Sequence, residues 1–308
     1  MNLEPELRVR VPATSANLGP GYDAFGLALD LCNEFEARRS EQWSVRVEGE
    51  GAGLLREDAS NEVVRAIQRV FSEVQAYDRA ADIVCRNRIP VGRGLGSSAA
   101  AIVGGVVIGN RLTGERLSGQ RLLELAEELE GHPDNVAAAL LGGFTVSVRE
   151  AGTVRSVRVD PVGGVAAVVV VGDAPLATSA ARLALPASVP HADAAANAGR
   201  AALVALGLAT GDDETLRLGL HDLLHEQYRA SLMADFPAVC DALERAGVGP
   251  AVLSGAGPTV LGLVLGQNDA DALARAGSAA TAVTDSLGEG HYERVLALGI
   301  ARKGIVES

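Results

Sequence analysis

The densest run of residues suited to chemistry is Pro90-Val-Gly-Arg-Gly-Leu-Gly-Ser-Ser-Ala-Ala100, three glycines and two serines between an expected strand and an apolar helix. Glycine lets the backbone approach a ligand closely, and the first turn of the helix presents unpaired N–H groups to an anion. Ser97 and Ser98 add hydroxyls able to bind phosphate or a divalent cation. Taken alone, the segment also suits a tight turn with an N-capping serine. Gly94-x-Gly96-x-x-Ala99 fits the loose dinucleotide fingerprint. The expected strand Ile83–Ile89, however, carries Arg86, Asn87 and Arg88 and ends at Pro90, which suits a buried central parallel strand badly. Two other loops share this character. Pro12-Ala-Thr-Ser-Ala-Asn-Leu-Gly-Pro-Gly-Tyr-Asp-Ala-Phe-Gly26 sets Asn17 and Asp23 among glycines, and Ser254-Gly-Ala-Gly-Pro-Thr259 joins two apolar strands. Any one of them could be a turn; three in one chain of 308 residues read as walls of one ligand site.

Composition narrows the chemistry. Lys303 is the only lysine, so neither a phosphate-loop lysine nor a protein-kinase strand lysine is on hand to hold a nucleotide. Phosphate chemistry would have to rest on arginine, backbone N–H groups and metal. With 27 basic against 39 acidic residues, a formal charge of −12, the chain lacks the basic footprint of a duplex nucleic-acid binder or an anionic-membrane protein. A hydrophobic share of 48% excludes a mostly disordered chain. Cys32, Cys85 and Cys240 are widely spaced and read as small buried residues in a reducing compartment. Met1–Val11 mixes acidic and basic residues without a leader-type apolar core. The apolar runs Ala99–Gly109 and Gly163–Gly172 fall short of the ~20 residues of a membrane span. A soluble cytoplasmic protein is expected.

The elements that must position these loops follow from periodicity. Alternation marks strands at Leu7–Val11, Trp43–Glu48 and Asp82–Ile89. Asn61–Val74 has helical spacing, with Ser60 as N-cap; Ser118–Glu130 is a second amphipathic helix stopping at Gly131. Pro133 opens a short helix to Leu141, and Phe144–Val148 alternates as a strand. Gly152–Pro161 looks like an edge strand and linker. Val165–Val171 is a buried strand, helices cover Ala192–Leu208, Glu214–Met233, Phe236–Ala246 and Asp269–Leu287, and strands cover Ala251–Ser254 and Val260–Leu265. Strands and helices alternate in both halves. The expected fold is α+β with two lobes, residues 1–160 and 161–308.

The three loops, in this order and spacing, resemble the signature motifs of the GHMP small-molecule kinases. Within that family the first loop is closer to members that phosphorylate L-homoserine than to galactokinases or mevalonate kinases. Glu130-Gly-His-Pro-Asp-Asn135 followed by Gly142-Gly-Phe144, and Thr178-Ser-Ala-Ala-Arg-Leu-Ala-Leu-Pro186, fit the same branch. The resemblance runs from about residue 8 to 265. It implies an N-terminal lobe like the second domain of ribosomal protein S5 and a ferredoxin-like C-terminal lobe. It also implies ATP and Mg2+ as cofactors, L-homoserine as substrate and a step toward threonine. A homodimer is compatible with it; nucleic-acid and membrane partners are not expected.

The resemblance also implies roles. Pro90, Val91, Gly92, Arg93, Gly94, Leu95, Gly96, Ser97, Ser98, Ala99 and Ala100 would wrap the ATP phosphates, with Asn61 facing the adenine. Ser98 and Glu130 would hold Mg2+, with Glu127 or Glu128 as alternatives to Glu130. Asn17 and Asp23 would take the substrate ammonium, and Arg182 and Arg229 its carboxylate. His132 and Asn135 would line the same pocket. Arg88 and Arg93 read either as added positive charge or as solvated side chains. Asn135 stands where related kinases carry a catalytic aspartate, and an amide accepts no proton as a carboxylate does. The implied transfer is direct and in line, without a dedicated protein base; Asn135, Ser98 and Glu130 would carry it by positioning and charge neutralisation. The rivals are another small hydroxylated metabolite, a dinucleotide-dependent oxidoreductase and a non-catalytic amino-acid-binding protein.

Overall fold

The computed structural model describes residues 7–77, 79–288, 290 and 292–307. Its strands are β1 (Leu7–Ala16), β2 (Phe25–Ser40), β3 (Ser44–Gly49), β4 (Ala80–Asn87), β5 (Phe144–Glu150), β6 (Thr153–Val159), β7 (Gly164–Val171), β8 (Val252–Leu253), β9 (Val260–Gly266), β10 (Arg294–Gly299) and β11 (Val306–Glu307). One sheet runs β11-β1-β2-β4-β3, with β5 paired to β2 and β6 to β5; the other runs β10-β7-β9-β8. Among these, β3 and β4 pair in parallel while β1–β2, β2–β4 and β7–β9 are antiparallel. The glycine loop thus follows a strand next to the edge of a mostly antiparallel sheet. A doubly wound dinucleotide fold, which needs a parallel sheet, loses its scaffold.

Helices α1 (Glu62–Glu73), α2 (Ser97–Leu112), α3 (Gly119–Glu130) and α4 (Pro133–Leu141) belong to the first half; α5 (Thr178–Leu183), α6 (His191–Thr210), α7 (Asp213–Gly219), α8 (Glu226–Arg229), α9 (Phe236–Arg245) and α10 (Asp269–Leu287) to the second. The α2 helix is buried nearly all round, and its small residues are the reason it fits. A Cβ on Gly105 would stand 2.5 Å from the Val63 carbonyl of α1, and one on Gly104 2.5 Å from the Phe35 ring of β2. The helix whose N-terminus faces the site is thereby pressed between α1 and the sheet.

Strand β7 explains its own continuous apolar run. Val165, Ala167, Val169 and Val171 pack into the core of the first sheet, whereas Ala166, Val168 and Val170 pack with Leu243, Val248 and Val283 beneath α9 and α10. Both faces are covered, so neither can be polar. The chain end returns to the first sheet, where Leu29 bridges Ile300 and β11 pairs with β1.

Several expectations are corrected. Asn61, not Ser60, caps α1: its Oδ1 accepts from Val63 N–H, while Ser60 turns to Asp58. The single helix expected over Glu214–Met233 is broken. After α7 ends at Gly219, one carboxylate oxygen of Asp222 accepts from the N–H groups of Leu224, His225 and Glu226 and starts α8, which runs into a 3-10 turn at Ala230–Leu232. An aspartate that caps locally competes with helix continuation. The first loop is shorter than expected because β1 extends to Ala16. Cys85 is buried but Cys32 and Cys240 are half-buried, and all three are free thiols. Most of the Met1–Val11 reading falls on residues 1–6, outside the described residues. No helix among the described residues is long and apolar enough to cross a membrane.

Candidate active site

The glycine loop reaches α2 through Gly92, Gly94 and Gly96, with φ of 69°, 78° and 69°. Gly96 is the N-cap of α2 and supplies no side-chain acceptor, so the first-turn N–H groups and the positive end of the helix dipole are left for a ligand. Gly96 also has no room for more than hydrogen: a Cβ there would lie 1.9 Å from Thr14 Oγ1. Thr14 Oγ1 in turn donates to Asn135 Oδ1 at 2.8 Å, bringing α4 against the loop.

The other two loops close on the first. Ser254 Oγ donates to the Gly94 carbonyl at 2.6 Å and pairs with Ser15 Oγ at 2.9 Å. Asn17 bridges Ser254, and its Nδ2 donates to the Gly255 carbonyl at 2.7 Å. Asn17 Oδ1 accepts from the Asp23 N–H at 3.0 Å. The amide expected to meet the substrate ammonium thus spends both ends fixing the loop that presents Asp23. Asn17, Leu18 and Asp23 all take left-handed φ values, of 71°, 47° and 53°, the kind of local strain that gathers at functional sites.

Two cavities meet at this loop. The polar one, about 110 Å³, is lined by Asn17, Asp23, Gly92, Arg93, Gly94, Gly96, Ser97, Ser98, Glu130, His132, Asn135, Arg182 and Arg229. A more apolar cleft of about 410 Å³ shares Gly92, Ser97 and Ser98 and adds Phe35, Val47, Leu55, Asn61 and Val91. Asn61 lines it with its amide already committed, to Val63 N–H and to the Arg56 carbonyl. The amide oxygen of Asn87, in the same lining, is buried without a partner. Pro90, Leu95, Ala99 and Ala100 are buried behind the loop and line neither cavity, so they support its backbone.

Ser98 Oγ donates to Glu130 Oε2 at 2.8 Å. Burial pushes the Glu130 carboxyl above its ordinary pKa, against the opposing pull of His132 and Ser98. The two alternatives fall away: Glu127 is paired with Arg149, and Glu128 with Arg69 and Arg121. His132 stands at the N-cap position of α4 without capping it; its Nδ1 lies 2.7 Å from Asp134 Oδ1. Burial opposes charge on His132, but the Asp134 hydrogen bond and the Asp134 and Glu130 carboxylates outweigh it and raise its pKa. The same Asp134 oxygen accepts from Asn135 N–H at 2.7 Å.

On the opposite wall Arg182 forms a two-pronged ion pair with Asp23 and donates to the Tyr22 hydroxyl at 2.8 Å. Arg229 lies deeper, only 2% exposed. It donates to the carbonyls of Ala181 and Gly255 and sits over the Tyr22 ring at 5.3 Å. Among the described residues no carboxylate stands within ion-pair distance of it. Burial is the main force lowering its pKa. A buried guanidinium without a counter-charge is costly unless an anion arrives. Arg93 is engaged with Glu293 and the Asp173 carbonyl, whereas Arg88 is exposed. Tyr22, Asp134 and His225 were not singled out from sequence; the first two lie within motifs that were.

Residues 61–143 match the GHMP kinases N terminal domain, and residues 201–282 match GHMP kinases C terminal. The chain is 48% identical over 261 residues to a homoserine kinase of Streptomyces coelicolor, covering 83% of this chain and 84% of that protein. A homoserine kinase of Carboxydothermus hydrogenoformans is 42% identical over 256 residues, covering 83% and 84%. Among solved structures, the homoserine kinase from Cytophaga hutchinsonii superposes with a TM-score of 0.86 at 28% identity, covering 100% of this chain and 99% of that one. Mevalonate diphosphate decarboxylase from Staphylococcus aureus, at 17% identity and a TM-score of 0.65 over 99% and 98% of the two chains, shares the fold.

Proposed function

The chain belongs to the GHMP kinase family, and we infer from that membership and from its site that it is a homoserine kinase. It transfers the γ-phosphoryl group of ATP to the side-chain hydroxyl of L-homoserine, giving O-phospho-L-homoserine and ADP, a step toward threonine. The observation that carries the substrate is Arg229: a buried cation with no carboxylate in ion-pair contact among the described residues, beside the Asp23–Arg182 couple and next to an open helix N-terminus. Such a wall is built for a zwitterion whose far end meets a phosphate.

In this reading residues 1–160 supply the nucleotide clefts and residues 161–308 supply Arg182 and Arg229. The adenine occupies the apolar cleft and the phosphates lie along Gly92–Ser98, against the first turn of α2. The substrate carboxylate goes to Arg229 and Arg182, and its ammonium to Asp23, which Asn17 holds in place. His132 and Asn135 flank the hydroxyl. Asn135 donates hydrogen bonds and accepts no proton, so the hydroxyl loses its proton late, to a phosphate oxygen, as suits a loose transition state. Positioning and charge neutralisation then supply the catalysis.

Magnesium fits the residues present. Ser98 and Glu130 offer hard oxygen donors 2.8 Å apart beside the phosphate loop, and both line the polar cavity. When bound, the ion would neutralise charge on the β- and γ-phosphates. ATP and a free amino acid as substrates support a cytoplasmic location. A coupled ADP-release assay with L-homoserine, with and without Mg2+, tests the whole reading. Homoserine- and Mg2+-dependent ADP release is expected. Silence with homoserine alongside turnover of another small alcohol would overturn the substrate.

A further inference from the structure

Arg229 is held by a residue that no motif marked. This inference rests on the carboxylate role given to Arg229 above. His225 directly precedes α8, at whose other end Arg229 sits, and it is 0% exposed. Its two ring nitrogens have unlike partners. Nδ1 lies 3.2 Å from Arg229 Nη1, and Nε2 lies 2.9 Å from the Gly19 carbonyl oxygen. A guanidinium only donates and a carbonyl only accepts. The partners therefore fix the imidazole: Nε2 carries the proton and Nδ1 offers its lone pair. The opposite tautomer would set donor against donor and acceptor against acceptor, and a doubly protonated ring would turn an N–H and a positive charge on Arg229.

We propose that His225 is a positioning residue for substrate recognition: as a neutral Nε2–H imidazole it holds the Arg229 guanidinium at the pocket floor and ties it to the Gly19 end of the loop that carries Tyr22 and Asp23. The His225 and Tyr22 ring centroids lie 5.3 Å apart with the rings tilted by 39°, and Arg229 also lies over the Tyr22 ring. Recognition of the carboxylate by Arg229 and of the ammonium by Asp23 is thereby coupled through one side chain. The charged groups facing His225 are Asp222, Asp23 and Arg229. Asp222 Oδ1, buried without a hydrogen-bond partner, lies 3.7 Å from Nε2. Burial, helped by Arg229, lowers the His225 pKa against the pull of Asp222 and Asp23. The ring stays neutral near pH 7. Acid below its depressed pKa would protonate Nδ1, release Arg229 and weaken homoserine binding.

The test separates the two nitrogens. His225→Asn keeps an acceptor near Nδ1, His225→Gln keeps a donor near Nε2, and His225→Phe keeps shape alone. Steady-state kinetics should show the KM for homoserine raised about 10- to 100-fold in the Gln and Phe variants. The Asn variant should recover most of that loss, and the KM for ATP should move less than about twofold in all three. Gln and Phe variants with wild-type homoserine KM would overturn the proposal, as would an Asn variant no better than Phe. So would equal loss of both affinities, which marks a merely structural role. Imidazole ¹⁵N shifts of the wild-type protein at pH 7 test it without any variant: a Nδ1–H tautomer or an imidazolium at His225 refutes it. A wild-type chain that releases no ADP with homoserine fails at the earlier assay and indicts the activity reading instead.

Discussion

Arg182 and Asp23 meet on one wall of the polar cavity as a two-pronged ion pair, Nη2 to Oδ1 at 2.7 Å and Nη1 to Oδ2 at 2.9 Å. Each side chain is roughly a third exposed, 37% and 35%, so the pair belongs to the weak class worth about 0–1 kcal/mol. It is the inverse of an amino-acid zwitterion. Entry of homoserine exchanges one internal pair for two external ones, at little cost in broken contacts. Arg229 has no such internal partner, and this difference between the two arginines shapes the predictions that follow.

4-Hydroxybutyrate keeps the hydroxyl and carboxylate of homoserine but lacks the ammonium. A site that must leave a polar group unpaired rejects such an analogue by about 10⁴-fold or more. Asp23 can fall back on Arg182, so discrimination in kcat/KM of about 10²- to 10⁴-fold is expected. Asp23→Asn should lose most homoserine activity and narrow the gap. Comparable turnover of the two compounds by the wild type would remove Asp23 from ammonium recognition.

Much of this arrangement is legible in the sequence, and the reasons it stops are physical. The α3 and α4 helices are readable because Ser118, Gly131 and Pro133 punctuate them chemically. The long β2 strand does carry alternation, at Leu27, Leu29, Leu31, Phe35 and Ala37, but its full length is set by the pairing of β1, β4 and β5 along it. The break between Gly219 and Glu226 is hidden because helical spacing resumes after it; α7 ends at Gly219, and the local hydrogen bonds of the Asp222 carboxylate start α8 anew. The loops announce Asn17, Asp23 and Glu130, yet not that Asn17 spends its amide on Gly255 and Asp23. His225 is invisible in sequence because its role depends on Gly19 and Arg229 meeting in space.

Arg229→Met and Arg182→Met should behave differently. Loss of Arg229 removes hydrogen bonds to Ala181, Gly255 and His225 Nδ1, each worth about 1 kcal/mol, but also relieves a dehydrated cation. Its melting temperature should change little while the homoserine KM rises about 100-fold or more. Arg182→Met leaves Asp23 without its partner, so a smaller rise in KM is expected with Arg229 still in place. Kinetics for both substrates, with melting curves, check this; a marked collapse of the Arg229 variant would assign that residue to folding.

Ser98→Ala and Glu130→Gln should lower kcat over a Mg2+ titration more than they weaken ATP binding, because charge on the transferring phosphoryl peaks in the transition state. The midpoint of the titration should shift to higher Mg2+ in both. Wild-type midpoints in both variants would reduce the Ser98–Glu130 contact to helix-end packing.

Glu226 offers a pH test independent of catalysis. Part of the residue reaches the surface, but its carboxyl meets β8, where Oε1 accepts from Leu253 N–H at 2.6 Å. Burial, with Asp222 nearby, pushes its pKa up to about 8, although the Leu253 hydrogen bond and Arg229 pull the other way. In the unfolded chain the group titrates near 4.5. Between these values the native chain holds a proton that the unfolded chain has lost, so stability falls as pH rises from 4.5 to about 8 and levels off above. Below 4.5 both states are protonated and the group contributes no slope. Glu226→Gln stays neutral throughout and keeps an oxygen for Leu253. Its melting temperature should therefore match the wild type near pH 5 and exceed it by about 2–6 °C near pH 8. Melting curves at intervals between those limits decide the matter: parallel slopes for the two proteins would mean that Glu226 is already ionised in the native state.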